Sequence, residues 1–474
     1  MASLDTVNQS DFIPKLDSIR VDYAKIKSAA EKARKDRKWL LAFVVGTKPC
    51  FYKFYGAIQA AESNGYPYIV INANQHYDSS LTQGIKEFGL DGKISVDLHI
   101  GGDLGRKTGE LYFKCIWLAR KLRQLYPDVE TVPVVLGDTI LAGVIPSAWL
   151  FAVGNKGINL EAGLRSMSPA GMRQLGKTSP QDFVMQQREA EWEVLRNEPF
   201  PEQWDTFVSS AACQFQFAPL DLNRQHLLRE GYKDEDIFVH GNPVVDAIQL
   251  KLGKKPEQSV FEIYPQLEKG EWIRVDIHRR ENLTARRLKS IVGAVRQLVK
   301  EGRKVVFIQM GATREAFANY GMQDAFSDIM KKDNFLFTDL WPMFEHVVEF
   351  YSSEHNLAAL TDSGGVQEDM NMMKKLCMTC RFSTDRPETV RQSGGNFLAP
   401  PYSAEFMAEA VKAILENDDF RKKARGQKPL YGKDFGTKFI GTMNKIGIGA
   451  NKPFKWSHET LGLWKDEAGS LKYL

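Results

Sequence analysis

No apolar run in the 474 residues approaches the roughly 20 needed to cross a bilayer as a helix, so the sequence predicts no membrane span. Cysteine is scarce. Five residues, odd in number and widely spaced, make no disulfide framework and suit reduced thiols in a cytoplasm. Cys377 and Cys380 have CxxC spacing, but no second pair or nearby histidine accompanies them. Small residues packed in or beside a strand are therefore expected there, and no metal site. An excess of one charge is also lacking: 63 Lys and Arg against 59 Asp and Glu leave a net +4, spread along the chain. That argues against nucleic acid and anionic membranes as partners. Met1 to Lys38 is polar, with no apolar core and no small-residue cleavage site, so no secretory signal is expected. Short repeats and low-complexity tracts are absent. What remains is globular, 43% hydrophobic and 26% charged, with the length of two or three domains.

Apolar runs bounded by glycine or helix-like segments predict buried parallel strands at Trp39–Val45, Tyr68–Asn72, Val132–Leu136 and Ile158–Leu160. A second series follows at Trp272–Ile277, Lys304–Gln309, Asn356–Thr361 and Leu376–Thr379, with amphipathic helices near Arg287–Glu301 and Ala404–Asn417. Alternation of this kind implies βαβ units and two facing α/β domains. The expected division is an N-terminal helical extension over 1–38, with a helix at 12–37, and a first domain over 39–240. A second domain follows over 241–425, joined near Gly241-Asn242-Pro243, and a tail over 426–474. Residues 167–200, with a helical stretch near Pro180–Arg196, read as an insertion of the first domain packed outside its sheet.

Open α/β sheets bind ligands beyond the carboxyl ends of their strands, and polar clusters stand there. Gly46-Thr47-Lys48 opens a helix that also carries Lys53, which suits either a phosphate site or a polar turn with solvated lysines. Asp138, in Gly137-Asp-Thr139, and Glu161, in Glu161-Ala-Gly-Leu-Arg-Ser166, follow neighbouring strands. Facing one cleft they could act as general bases; otherwise Asp138 caps a helix and Glu161 makes a surface ion pair. His278-Arg279-Arg280 combines one histidine with two guanidiniums, a set suited to a phosphate-bearing leaving group. Ser363-Gly364-Gly365 turns from strand to helix where backbone N–H groups can approach a diphosphate, and the acids Glu368 and Asp369 lie one to two turns along.

Taken in order with Phe217-Ala-Pro, Gly241-Asn-Pro-Val-Val-Asp246, Asp362-Ser-Gly-Gly-Val-Gln-Glu368 and Arg386-Pro-Glu388, these motifs resemble the UDP-N-acetylglucosamine 2-epimerase family over roughly residues 39 to 425. The Gly-Asp-Thr and Glu-Ala-Gly-Leu-Arg pair resembles its non-hydrolysing branch. The resemblance implies a glycosyltransferase-B fold with two Rossmann-like domains about a cleft, and a C-terminal segment crossing back to the first. It implies a UDP-amino sugar substrate, a homodimer, and no metal or nicotinamide. It also implies inversion of carbon 2 by elimination of UDP and re-addition to a 2-acetamidoglucal. By resemblance Asp138, Glu161 and Glu202 are the acid/base carboxylates and His278 attends the leaving diphosphate. Lys48, Lys53, Arg165, Arg279, Ser363, Gly364, Gly365, Glu368, Asp369 and Arg386 are the expected binding residues. The same fold leaves open net hydrolysis, glycosyl transfer, or a UDP-sugar-binding regulator without activity.

Several positions depart from the pattern. Lys48 stands for an arginine and loses its bidentate fork. Cys50 stands for a glutamate, Asn159 for a histidine, and Asp369 for a longer acid. Gln203-Trp-Asp-Thr206 replaces an acidic and Asn-Arg continuation. Gln75-His76 matches part of an allosteric region, whereas Asp78 and Gln309 do not.

Overall fold

The computed structural model describes residues 16–73, 79–341, 343–449 and 451–454, with 79–82 in backbone only; Gln75, His76 and Asp78 lie outside them. The first sheet has eight strands in the order β1-β4-β3-β2-β5-β6-β9-β10. They are β1 (Arg20–Val21), β2 (Leu40–Val45), β3 (Tyr68–Asn72), β4 (Ile94–Asp97), β5 (Thr131–Val135), β6 (Gly157–Asn159), β9 (Cys213–Ala218) and β10 (Ile237–Val239). All pair in parallel except the edge strand β1, which runs antiparallel to β4. The second sheet is wholly parallel, ordered β13-β12-β11-β14-β15-β16. Its strands are β11 (Trp272–Asp276), β12 (Lys304–Gln309), β13 (Phe335–Asp339), β14 (Asn356–Thr361), β15 (Leu376–Thr379) and β16 (Asn396–Leu398). A two-stranded antiparallel ribbon pairs β7 (Met167–Pro169) with β8 (Trp192–Val194).

Central strands such as β2, with all six residues buried, are apolar throughout because helices cover both faces of a parallel sheet. In each sheet the winding reverses beside its first long strand, between β2 and β5 and between β11 and β14. Such switch points open a crevice at the carboxyl ends of the strands. Loops from the two crevices touch, and the arrangement is the glycosyltransferase-B fold of two Rossmann-like sheets about a cleft.

Two segments differ from the sequence expectations. The first helix spans only Tyr23–Asp36, because Asp22 caps it by accepting from Lys25 N and residues 20–21 form β1. Its Ile26, Ala30 and Ala33 join the first core, so it is part of that unit. The 167–200 segment packs on the other unit: Leu175, Phe183 and Val184 belong to the second core. Met167 and Thr384 exchange backbone hydrogen bonds of 2.7 and 2.9 Å. The Gln187 amide accepts from Leu398 N (2.7 Å) and donates to Leu398 O (3.3 Å), closing the edge of β16. The expected long helix there is a short one, Pro180–Gln186, followed by β8.

The C-terminal helix Phe435–Ile446 makes the opposite crossing and lies on the first unit, where Phe439 meets Phe43 and Phe217 edge-on. Asp246 of the Gly-Asn-Pro-Val-Val-Asp motif caps it from outside, accepting from Phe435 N (3.0 Å) and Gly436 N (2.7 Å). At the crossing, Gly241 has φ 95° and a β-carbon there would lie 2.2 Å from Tyr431 O. Glycine is required on both counts.

Candidate functional site

The strand-end motifs meet in two layers. The inner layer is a sealed charge network. Lys53 Nζ donates to Glu161 Oε1 (2.6 Å) and Glu368 Oε2 (3.1 Å). Asn242, from the linker, donates to the same two carboxylates at 2.9 and 3.0 Å. Arg386 bonds Glu368 and lies 3.7 Å from Glu161. Two cations thus balance two anions away from water, the condition under which buried charges are tolerated. Burial would lower the Lys53 ammonium, but Glu161 and Glu368 outweigh it and hold it above its ordinary value. Burial raises Glu368 despite the Arg386 beside it. Asp369 is also buried and is pushed up to about 8 by burial and by Glu368.

Local structure explains the placement. Lys53 lies one turn into the helix Lys48–Ser63 that leaves β2, and Glu161 is oriented by Asn159, whose Oδ1 accepts from Glu161 N (3.0 Å). Glu368 and Asp369 project from the helix Gly364–Met372. The resemblance implied binding roles for Lys53, Glu368 and Asp369; the structure gives Lys53 and Glu368 to the inner network.

The outer layer is the cleft cluster. Arg279, after β11, reaches across to the first unit and bonds Asp138 (2.9 Å) and Glu202 (2.5 Å), with Asp385 at 3.9 Å. Burial pulls Asp138 upward, but the Arg279 guanidinium outweighs it and holds the carboxyl below its usual range. Asp138 does not cap the following helix; Thr139 occupies that position. Asp362 is fully buried and accepts from His278 N, Arg279 N and Asn282 Nδ2, which fixes the whole loop. His278 Nδ1 stands 3.2 Å from Asp362 Oδ1, and its side chain is 31% exposed, so the other ring edge reaches the cleft.

Ser363 caps the helix Gly364–Met372 through Val366 N and is itself held by Thr361. The first-turn N–H groups have no partner within the helix and suit an anion. Gly364 leaves room for Asp385, since a β-carbon would stand 3.0 Å from its carboxylate, and Gly365 lies beneath Tyr52. Lys48 Nζ donates to Trp341 O (3.2 Å) across the two units.

Arg165 belongs to neither layer. It is buried against Glu230 (2.6 and 2.7 Å), Ser210 and the Phe207 ring, where it braces the first unit. Three site residues went unassigned in the sequence: Asn242, Asp385 and Asp205. Asn242 stands inside a motif, beside Pro243, and Asp385 directly precedes one, before Arg386, so both could have been found there. Asp205 carried one signal, its spacing of three from Glu202 on a helix. All five cysteines are buried free thiols, and among the described residues no three His, Cys, Asp or Glu side chains are placed to share a metal. Among the same residues no helix is long and apolar enough to cross a membrane.

A family model described as UDP-N-acetylglucosamine 2-epimerase matches residues 195–442. Among characterised proteins the chain is similar to the UDP-N-acetylglucosamine 2-epimerase of Methanocaldococcus jannaschii, 28% identical over 409 residues, covering 84% of this chain and 97% of that one. It is similar also to that of Methanococcus maripaludis, 27% identical over 390 residues, covering 80% and 92%. In fold it resembles the crystal structure of the M. jannaschii enzyme in complex with UDP-GlcNAc and UDP, with a TM-score of 0.68 at 24% identity, covering 86% and 99%. The Neisseria meningitidis enzyme bound to UDP-GlcNAc gives 0.67 at 22% identity, covering 86% and 100%.

Proposed function

Because the chain belongs to the UDP-N-acetylglucosamine 2-epimerase family, we propose that it inverts carbon 2 of UDP-N-acetylglucosamine, or of a related UDP-2-acetamido sugar, without net hydrolysis. The observation that carries this reading is Arg279, reaching from one unit to bond Asp138 and Glu202 of the other. It gathers two carboxylates, His278 and the Ser363 helix end about one cleft.

The chemistry follows from what those groups can do. The carbon 2 proton is not acidic, so it leaves as the bond from carbon 1 to UDP breaks. A carboxylate accepts the proton, UDP departs with the bonding pair, and 2-acetamidoglucal remains. His278 and Arg279 offset charge growing on the diphosphate, and the N–H groups after Ser363 hold it. UDP then adds back while a carboxyl delivers a proton to the opposite face. Asp138 and Glu202 line the cleft and suit the two proton carriers. Glu161, sealed below with Lys53 and 3.7 Å from Arg386 of the second unit, helps hold the two units in register for them. The route needs neither metal nor nicotinamide. A homodimer working in the cytoplasm, where UDP-sugars are made and thiols stay reduced, completes the proposal.

Proton NMR of UDP-N-acetylglucosamine with the enzyme in deuterated water tests it. Deuterium at carbon 2, with the UDP-linked epimer and little free UDP, is the expected result. Free UDP with free N-acetylmannosamine would replace the reading by the hydrolysing one, and an unchanged spectrum would remove it.

A further inference from the structure

Asp385, directly before Arg386, joins the inner network to the cleft cluster. It is 3% exposed, and three guanidiniums face its carboxylate. Arg381 Nη1 donates to Oδ1 (3.0 Å), Arg386 Nη1 lies 3.1 Å from Oδ2, and Arg279 Nη2 lies 3.9 Å from that same oxygen. Arg386 continues to Glu368 in the inner layer, and Arg279 continues to Asp138 and Glu202 in the outer one. The loop carrying Asp385 is pinned by Thr384, which exchanges backbone bonds with Met167. The Thr384 hydroxyl donates to Gln367 Oε1 (2.6 Å) and accepts from Arg386 N (3.0 Å).

The carboxylate also stands at the helix end where the diphosphate is proposed to sit. Gly364 opens the helix Gly364–Met372, and a β-carbon on it would lie 3.0 Å from Asp385 Oδ2 and 3.2 Å from Oδ1. An anion at the first-turn N–H groups of that helix therefore has a buried negative charge beside it. Burial would raise the Asp385 carboxyl, but Arg386, Arg381 and Arg279 outweigh it and hold it well below its usual range. Its charge is therefore permanent at any working pH. Like charges a few ångströms apart and shielded from water repel strongly. The same charge lets three guanidiniums gather there, since buried cations without an anion are costly. Asp385 thus has two opposed effects on a diphosphate: it assembles cations around the site and subtracts from their attraction.

We propose that Asp385 is a positioning residue that sets how strongly the cleft holds the diphosphate, loosening the grip enough for the UDP-sugar to leave after turnover. This rests on the epimerase reading. In that reaction UDP stays bound between elimination and re-addition, and the product then departs carrying the same diphosphate. A helix end and three guanidiniums with no opposing charge would retain that product and slow each cycle.

Asp385→Asn keeps the shape and removes the charge. Affinities are read by calorimetry for UDP and by ligand NMR for uridine, which lacks phosphate. The variant is expected to bind UDP about tenfold more tightly, with uridine affinity unchanged and kcat and KM for the UDP-sugar lowered together. Asp385→Glu keeps the charge and should show no gain. A side chain that only supported the fold would weaken UDP binding when changed. UDP affinity that is unchanged or weaker in Asp385→Asn therefore overturns the proposal, as does an equal gain in Asp385→Glu. Asp385→Ser removes the same charge in a smaller side chain and carries the test if Asp385→Asn does not fold. Carbon 2 exchange by the wild-type enzyme is measured alongside. Its absence removes the function and the turnover role together, whereas exchange with no tightening in Asp385→Asn removes the role of Asp385 alone.

Discussion

At the residue scale, the cleft turns on charges held at unequal proton affinity. Asp138→Asn removes an ionised carboxylate but leaves the Ser363 helix end intact. Carbon 2 exchange should fall by at least about a hundredfold, the scale of a lost general base. UDP affinity, read by calorimetry, should stay within a few-fold. Asp205 makes a separate prediction for stability. Its folded value of about 9 lies above the unfolded value near 3.9, so the folded chain holds a proton that the unfolded chain releases. Wild-type stability is therefore expected to fall as pH rises from about 4 to about 9, the native state binding more protons throughout that window. Asp205→Asn should remove that slope and be the more stable protein at pH 8, by an amount on the order of a few kcal/mol. Urea titrations of both proteins at pH 6 and pH 8 would show it; parallel shifts would refute it.

Residues of this kind were unequally legible. Asp138, His278 and Ser363 could be found because each follows an apolar strand and a strand end is where an α/β sheet binds. Asp205 could not be weighed from sequence. Its meaning comes from complete burial and from a glycine on another helix. Lys53 and Glu368 were recognised as site residues, yet their engagement with one another across two units has no local signature.

At the element scale, the long strands and the helices near 285–300 and 404–416 could be read because apolar periodicity dominates them. Short strands such as β4, β10 and β16, with three or four residues each, carry too little pattern to stand out. The C-terminal helix is positioned by close backbone contact as well as by its aromatic face. A β-carbon on Gly436 would lie 2.1 Å from Gly56 O. Gly436→Ala should therefore push the helix off Lys48–Ser63 and cost about 1–3 kcal/mol, as overpacking does. Limited proteolysis after residue 430 should become faster, and an unchanged cleavage rate would show that the contact is not needed.

At the scale of the whole molecule, two sheets and a cleft were evident from two series of buried strands. The return of 435–446 to cover the first unit was implied by the family resemblance; what the sequence did not reveal is that 167–200 leaves the first unit to cover the second. An amphipathic segment advertises that it will be buried, and nothing in its pattern names the core. Residues 20–240 and 241–454, produced separately, should each be unstable alone because each lacks a helix of its own core. Co-expression should restore a 1:1 complex. A stable, cooperatively unfolding first half would contradict this.

The crossing of Phe435–Ile446 also sets an order of events during synthesis. Phe43 and Phe217 leave the ribosome with the first sheet, yet Phe439, which closes over them, emerges only after the whole second sheet. For nearly half of translation the nascent first unit carries an open apolar seam, the kind of surface on which incomplete chains aggregate or draw chaperones.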